Sequence, residues 1–316
     1  MRQNQSRADH QTYVGTGITM TSLFQKLFLT NSYFTIALRP RGKQSVLSDP
    51  AFQPQYVLPA RARRWAADPM LAEEAGKTWL FYEAVEDDHG HIEAAEVLPD
   101  CTLGEPSVIL KDEFHYSYPF VFQWEGRWYL IPESSGAKEV RLYEAEAFPY
   151  RWRLREILLR ERAVDTTVFE QDGRLYLLTF LTDGSSERVT PRAYTLRMQE
   201  GGSRLSPIAW RDFDSLRVRG AGPLFREDGM LCRPAQVSRE QIYGDAVALY
   251  RVTAEDAGYR EEPLGTLATP RGRCAGAYVD GAHTYCRTSR FEAVDLRCRD
   301  FDLWKLPRRL LGRRKK

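Results

Sequence analysis

The chain has 316 residues, of which 43% are hydrophobic and 12% aromatic, so it is long enough to bury a large core. Its formal charge of +2 is too close to zero to indicate a nucleic-acid-binding protein by itself. The five cysteines are never spaced as CxxC, which argues against a zinc cluster and a disulfide scaffold: Cys101, Cys232, Cys274, Cys286 and Cys298.

Residues 1–30 begin the chain with a polar stretch that lacks the apolar segment of a secretory signal. We predict that this extension is disordered, that Met20 is an alternative start to Met1, and that residues 23–29 form a short amphipathic piece. No apolar run reaches the ~20 residues needed to span a bilayer. Together with the unpaired cysteines, this predicts a cytoplasmic protein, and nothing in the sequence indicates a metal or another cofactor.

Five later segments align on a turn glycine and form an internal repeat. They begin at Asp68, Tyr118, Asp165, Ala221 and Arg273, and their glycines are Gly76, Gly126, Gly173, Gly229 and Gly281. The steps between the glycines are 50, 47, 56 and 52 residues, and each segment reads as strand, turn, strand. A period near 50 with several strands is typical of propeller blades. The sequence therefore predicts an all-β protein, a five-bladed β-propeller over residues 31–302.

A propeller must close its ring, and the two ends of the repeat region supply the strands for this. Residues 33–41 (YFTIALRPR) form a predicted strand ahead of the first repeat, and residues 291–300 (FEAVDLRCRD) form another after the last one. We predict that they pair, so that an N-terminal strand completes the last blade and removes an exposed edge.

Residues 303–316 (LWKLPRRLLGRRKK) form a basic, amphipathic tail with seven Lys or Arg residues. Such a tail can lie on an anionic membrane surface, where each basic residue contributes ~1 kcal/mol. It can equally be a solvated terminus. Peripheral contact with the inner membrane face is thus one of two interpretations that the sequence leaves open.

The repeat register predicts two rings of residues at the mouth of the central channel. The first ring holds the repeat heads, including Asp68, Tyr118 and Asp165. The second ring lies seven residues after each glycine and holds Glu83, Glu133, Phe180, Gln236 and Thr288. Convergent polar groups at one end of an apolar scaffold indicate a ligand site.

Three carboxylates in these rings are the predicted catalytic residues. Asp68 is the preferred general base, and Glu133 or Asp165 is the acid, whose pKa must be raised. Each aspartate can instead cap a turn. Glu133 ends an apolar strand, where a carboxylate is costly without a partner, which favours a functional role.

The predicted substrate-binding residues are His115, Tyr118, Arg233, Gln236 and His283. Both histidines have a structural alternative, as a loop residue and as a satisfied strand residue. Arg233 can pair with one of the carboxylates, which is structural as readily as ligand-binding. The sequence HGH at residues 89–91 lies in an acidic hairpin, and an exposed turn is favoured there over a surface metal site.

Several stretches resemble a known family. They are DEFHYSYPFVFQWEGRWYLIPES, VRLYEAEAFPYRW, VDTTVFEQDGRLYLL, ADPML, RPAQ, YGDAVAL and HTYCRTSRFEAVD. Together they resemble the propeller domain at the N-terminus of glucosamine inositolphosphorylceramide transferases and its bacterial stand-alone relatives. The resemblance implies the five-bladed propeller of glycoside hydrolase families 43 and 32, and a setting in bacterial surface-polysaccharide metabolism. It does not imply the ceramide glycosyltransferase reaction, which belongs to a separate domain.

The hydrolase propellers carry acidic residues at the heads of three blades, and Tyr118 breaks that pattern here. Two functions therefore stay open. The first is a glycan-active enzyme, most simply a glycoside hydrolase or transglycosidase. The second is a non-catalytic module that binds a saccharide or lipid-linked glycan during polysaccharide assembly. Whether the ring carboxylates share an open pocket or are neutralised by arginines distinguishes the two.

Overall fold

A computed structural model describes residues 32–61, 63–184, 189–210, 219–239, 242–255, 258–274 and 276–301. Within them lie 22 strands in five antiparallel sheets, which form the five blades of a β-propeller. The predicted fold is confirmed. The chain first forms two strands that belong to the last blade, β1 (Tyr33–Pro40) and β2 (Tyr56–Val57).

Blades I to IV each contain four strands in chain order, with the first strand innermost. Blade I has β3 (Arg64–Glu74), β4 (Lys77–Glu86), β5 (His89–Val97) and β6 (Ser107–Leu110). Blade II has β7 (Ser117–Trp124), β8 (Arg127–Glu133), β9 (Val140–Ala147) and β10 (Arg151–Leu159). Blade III has β11 (Ala163–Gln171), β12 (Arg174–Thr182), β13 (Val189–Arg197) and β14 (Arg204–Ile208). Blade IV has β15 (Phe225–Glu227), β16 (Met230–Arg239), β17 (Ile242–Glu255) and β18 (Gly258–Thr266).

The first hairpin of each of these blades turns in the same way, as the repeat predicts. Gly76, Gly126, Gly173 and Gly229 have φ angles of 73 to 76°, and the residue before each also has a positive φ. Two successive residues with positive φ make a type I′ turn, whose twist matches that of paired strands. Because glycine adopts this conformation without strain, it marks the turn in every repeat.

Blade V differs from the predicted register. It contains β19 (Gly272–Cys274), β20 (Ala277–Gly281), β21 (Tyr285–Arg287) and β22 (Phe291–Arg299), joined by β1 and β2. Gly281 lies in a strand and not in a turn, so the fifth repeat was aligned on the wrong glycine. An added Cβ at Gly281 would lie 2.1 Å from the carbonyl oxygen of Gly244. The close approach of the Gly244 backbone, and not the geometry of a turn, explains why glycine occupies position 281.

The predicted closure of the ring is confirmed. β1 pairs with β22 along its whole length, from Tyr33 opposite Cys298 to Pro40 opposite Phe291. Arg39 Nε also contacts Glu292 Oε2 at 2.5 Å across the two strands. Residues from the two ends of the chain therefore form one blade.

The innermost strands of blades I to III are interrupted where they approach the channel mouth. The strand register shifts between Ala67 and Met70, between Ser117 and Phe120, and between Val164 and Thr167. In each bulge one residue has a positive φ: Asp68 (52°), Tyr118 (42°) and Asp165 (51°). Bulges re-aim side chains, and non-glycine residues adopt this conformation at a cost of ~1–2 kcal/mol each.

Residues 31–300 form one compact unit. The predicted N-terminal extension, with its amphipathic piece at residues 23–29, and the basic tail at residues 303–316 lie outside the described residues. Among the described residues, we find no helix with the length and apolar character that crossing a bilayer requires.

The closing strand should contribute strongly to stability. Leu38 is fully buried in a cluster that joins β1 to blade I. We expect Leu38→Ala to lower the free energy of unfolding by about 2–5 kcal/mol, because it leaves a cavity in that cluster. Urea denaturation measures this change. Leu154→Ala, at a site that is 44% exposed, is the control and should cost well below half as much.

Candidate functional site

A cavity of about 490 Å³ opens where the innermost strands are interrupted. We call it the central pocket. Its charged and ionisable lining residues are Asp68, Glu83, His115, Glu133, Arg162, Asp165, Arg219, Tyr243 and His283, and Phe34 and Trp65 add aromatic surface. Two of the five repeat heads, Asp68 and Asp165, and two members of the second ring, Glu83 and Glu133, thus line one pocket.

Asp68 lies at the centre of a buried hydrogen-bond network that connects blades I, II and V. Its Oδ1 accepts a bond from the Thr284 hydroxyl at 2.8 Å, and its Oδ2 accepts one from the Tyr118 amide at 3.1 Å. Its own amide donates to Asp295 Oδ2 at 3.1 Å. Burial raises the pKa of Asp68 to about 7, although the positive charge of His283 lowers it.

His283 lies between two carboxylates. Its Nδ1 is 2.5 Å from Asp295 Oδ2, and its Nε2 is 3.5 Å from Asp68 Oδ1. Burial alone lowers the pKa of His283, but Asp295 and Asp68 outweigh it and raise the value to about 9. The ring also stacks on Phe34, with centroids 4.2 Å apart. His283 is therefore the cation that compensates these two buried acids at neutral pH.

The donor atoms of Asp68, His283 and Asp295 lie within 4.8 Å of one another, a spacing that a metal ion could use. Each of these residues is already engaged by neighbouring groups. Asp295 Oδ1 accepts bonds from the amides of His283 and Thr284, at 2.9 and 2.8 Å. The positive charge within this trio comes from the imidazolium.

Asp165 forms a bidentate ion pair with Arg219. Arg219 Nε and Nη2 donate to the two carboxylate oxygens at 2.7 and 2.9 Å, and both side chains are largely buried. Burial lowers the pKa of Arg219, but Asp165 more than offsets this and holds it well above its usual value. The arginines predicted to neutralise ring carboxylates were Arg233 and Arg273, so the partner of Asp165 is a different residue.

Glu133 ends β8, and the pKa of its carboxyl group is unusually high for a glutamate. Burial and the nearby charge of Asp165 raise its pKa to about 8, and Arg219 opposes the shift. Its Oε1 accepts a bond from the Ser135 hydroxyl at 3.0 Å. Glu133 therefore keeps its proton at neutral pH and can donate it.

Glu83 lies in β4, three residues before the strand ends, and pairs with His115 in the lining of the same pocket. The His115 Nε2 atom is 2.6 Å from Glu83 Oε1, and the two side chains are 44% and 6% exposed. Glu83 belongs to the second ring of the sequence repeat but was not among the predicted catalytic residues. Glu83 pairs with Ala67, the residue before the head Asp68, and Glu133 pairs with Ser117, the residue before the head Tyr118. The two glutamates are therefore equivalent, and their equal spacing from the turn glycine was visible in the sequence.

Three predicted substrate-binding residues have their side chains engaged elsewhere. The Tyr118 hydroxyl accepts a bond from the Gly222 amide at 2.9 Å and contacts Thr167 Oγ1 at 3.0 Å, and its side chain is buried. Neither Arg233 nor Gln236 is among the described residues that line the central pocket.

Both of these side chains serve the packing of blade IV. Arg233 is 1% exposed and forms an ion pair with Glu261, with Nη2 and Oε2 2.9 Å apart. Gln236 Nε2 donates to the Gly220 carbonyl oxygen at 2.7 Å. These contacts favour the structural alternative for Arg233.

Arg219, Tyr243 and Trp65 line the pocket without having been predicted. Arg219 and Tyr243 lie outside the aligned hairpins, so the repeat gave no signal for them. Trp65 also lines a second cavity of about 570 Å³ along blade I, which contains Arg61, Arg64 and Lys111. Trp65 is therefore shared by the linings of the two cavities.

The sequence profile of the N-terminal domain of glucosamine inositolphosphorylceramide transferase 1 matches residues 55–275. The chain belongs to this family. A rice relative, glucosamine inositolphosphorylceramide transferase 1 of Oryza sativa subsp. indica, is 34% identical over 226 residues. The match covers 67% of this chain but 30% of the rice protein, so the chain spans about a third of that relative.

Two solved structures illustrate the shared fold. The GH43 endo-arabinanase from Bacillus licheniformis superposes with a TM-score of 0.52 at 13% identity, over 74% of this chain and 93% of the arabinanase. The GH32 β-fructofuranosidase BmSUC1 from Bombyx mori gives 0.51 at 12% identity, over 67% of this chain and 53% of the enzyme. At such low identity the likeness concerns the propeller architecture alone.

His283→Gln should destabilise the protein by about 3 kcal/mol at pH 6.5, because it leaves two buried carboxylates without their cation. The folded-state pKa is raised, so the contribution of His283 is complete below its unfolded pKa near 6.5 and declines as the pH rises through about 9. We therefore expect the difference from wild type to shrink between these values in urea denaturation. His89→Gln is the control, since His89 bonds only a carbonyl oxygen, at 3.0 Å.

Proposed function

We propose that this protein is a glycan-active enzyme, most simply a glycoside hydrolase or transglycosidase, that uses carboxyl groups of the central pocket. The observation that carries the proposal is the position of the Glu133 carboxyl group in the central pocket, close to the charge of Asp165. A general acid must hold its proton at neutral pH, and burial beside Asp165 raises the pKa of Glu133 to about 8. Glu133 would protonate the leaving oxygen of a glycosidic bond.

The second requirement is a carboxylate that stays ionised and activates water or another acceptor. The sequence favours Asp68 for this role, and it lines the same pocket as Glu133. Burial raises the pKa of both groups, to about 7 for Asp68 and about 8 for Glu133, so Asp68 is the first of the two to ionise as the pH rises. This pairing supports an enzyme more strongly than the fold does, because the same propeller can carry many functions.

The shape of the surface supports a substrate of more than one sugar unit. Trp65 and Phe34 present aromatic rings to the central pocket, with centroids 5.9 Å apart, and such rings pack well against the apolar face of a sugar. Since Trp65 also lines the second cavity, a glycan bound in the central pocket could extend across this residue.

The alternative is a non-catalytic module that binds a saccharide or lipid-linked glycan in bacterial polysaccharide assembly. Two observations favour it. Asp165 is fully engaged by Arg219, and both oxygens of Asp68 already accept hydrogen bonds. In that function the protein would be cytoplasmic, and its basic tail would hold it at the inner membrane face. The transfer activity named for the plant relatives is not part of either proposal.

Glu133→Gln tests the enzyme. We expect wild type to hydrolyse at least one member of a panel of aryl glycosides and bacterial-type oligosaccharides, with kcat/KM falling above about pH 8 as Glu133 loses its proton. The variant should lose about 10²–10⁴-fold in kcat. Aryl glycosides with good leaving groups should lose less, since they need little protonation.

Glu125→Gln is the matched control, because Glu125 occupies the exposed turn at the other end of β8 and should leave activity unchanged. Turnover by none of the panel, with equal ligand-induced thermal stabilisation of wild type and Glu133→Gln, would reject the enzyme and support the binding module.

Trp65→Ala tests the extended substrate. Loss of the aromatic ring should raise KM for oligosaccharides about tenfold more than for the corresponding monosaccharide aryl glycoside, while Trp65→Phe should keep most of the affinity. Steady-state kinetics on a series of chain lengths measures this ratio. Equal effects at every length would mean that the substrate does not cross Trp65.

A further inference from the structure

The Glu83–His115 pair is built into the pocket wall by contacts that fix the imidazole in place. His115 precedes blade II but packs against the β4–β5 hairpin of blade I, where its Nδ1 accepts a bond from the Gly90 amide at 3.0 Å. Its other ring nitrogen, Nε2, lies 2.6 Å from Glu83 Oε1. Both nitrogens are therefore engaged, and the ring joins two blades at the pocket edge.

Gly90 makes this arrangement possible, which gives the HGH sequence a role. A Cβ at Gly90 would lie 2.6 Å from His115 Cε1 and Nε2 and 2.7 Å from the Tyr116 carbonyl oxygen, far inside van der Waals contact. Any other residue at Gly90 would displace the imidazole. Gly90 of the HGH sequence thus leaves the space that the His115 imidazole occupies, so this sequence is not a simple exposed turn.

The Gly90 contact also fixes the hydrogen positions of the pair. Because Nδ1 accepts an amide hydrogen, the imidazole hydrogen must be on Nε2, from which it donates to Glu83. The arrangement therefore holds the Glu83 carboxyl group through Oε1 in one orientation.

The four pocket carboxyl groups also differ in which oxygens remain available. Asp165 uses both oxygens for Arg219, and Asp68 uses both for Thr284 and Tyr118. For Glu83, the described contacts engage Oε1 alone. Among these four groups, Glu83 thus combines a carboxyl group held in one orientation with an oxygen that the described contacts leave open to a substrate or water.

We propose that Glu83, and not Asp68, is the general base of the proposed reaction, and that His115 is a positioning residue seated on Gly90. This inference rests on the proposed enzymatic function. In hydrolysis, Glu83 takes a proton from water as the water oxygen forms a bond to the anomeric carbon. The glycosidic bond breaks, and its electron pair goes to the leaving oxygen, which takes the proton of Glu133. Exchange with solvent then restores both groups.

Three variants of the full chain test this assignment. Glu83→Gln should lower kcat about 10²–10⁴-fold. Added sodium azide should restore turnover, because this small anion attacks the anomeric carbon without needing a base. His115→Ala should lower kcat by up to about 10²-fold with little change in KM, since the Glu83 carboxyl group loses the hydrogen bond that orients it. His115→Gln, whose amide can donate in place of Nε2, should restore most of the wild-type kcat.

Gly90→Ala should reproduce the loss of kcat seen in His115→Ala, because its Cβ displaces the imidazole without altering His115 or Glu83. Gly104→Ala is the matched control, because a Cβ there meets its nearest atoms at an ordinary 3.7 Å. Long-range ¹H–¹⁵N correlation spectra should show the hydrogen of His115 on Nε2 in wild type, whether or not a substrate is known.

The outcomes separate the two proposals. If Glu83→Gln keeps wild-type kcat while Asp68→Asn loses it and recovers with azide, the base is Asp68 and the inference is wrong. A hydrogen on Nδ1 of His115 would also overturn it. If wild type turns over nothing in the panel, the proposed enzymatic function fails, and the catalytic role of Glu83 fails with it.

Discussion

Asp68, Asp295 and His283 form a buried group of charges at the point where blades I, II and V meet. Each carboxylate accepts hydrogen bonds from backbone or hydroxyl donors of a neighbouring segment, and the imidazolium lies between them. Charges that are removed from water must be compensated within the protein. The positions of the inner strands therefore depend on this group, since movement of any of these blades would leave a buried charge unpaired.

The same requirement divides the acidic residues of the pocket into two kinds. Asp68 and Asp165 are repeat heads, and their bulges direct them into the propeller, where backbone donors, His283 and Arg219 satisfy them. Glu83 and Glu133 are the longer side chains of the second ring, each one strand further out in its blade. Their positions leave oxygen atoms facing the cavity. On our proposal, the heads hold the structure, and Glu83 and Glu133 of the second ring supply the reacting groups.

Family membership and the shared fold narrow the possible functions of this protein less than the residues of its central pocket do. The hydrolases with a similar propeller share at most 13% identity with it in the two comparisons described, which identifies a scaffold. The plant relatives are about three times longer than the matched segment, so their named reaction cannot be transferred to this chain. The arrangement of Glu83 and Glu133, in contrast, arises from contacts within this chain, and the proposed chemistry rests on it.

The sequence by itself determined the fold class, four of the five hairpin registers and the closing strand, because type I′ turns and alternating strands are local and leave a period. It also brought Glu133 and Asp165 to one site, since equivalent positions in a ring of blades converge. Only the tertiary structure decided the partners: Arg219 for Asp165, Glu261 for Arg233, and His115 for Glu83. It also corrected the fifth register, where Gly281 serves close packing. These pairings join residues far apart in the chain, and no local sequence pattern specifies which buried charged groups will form a pair.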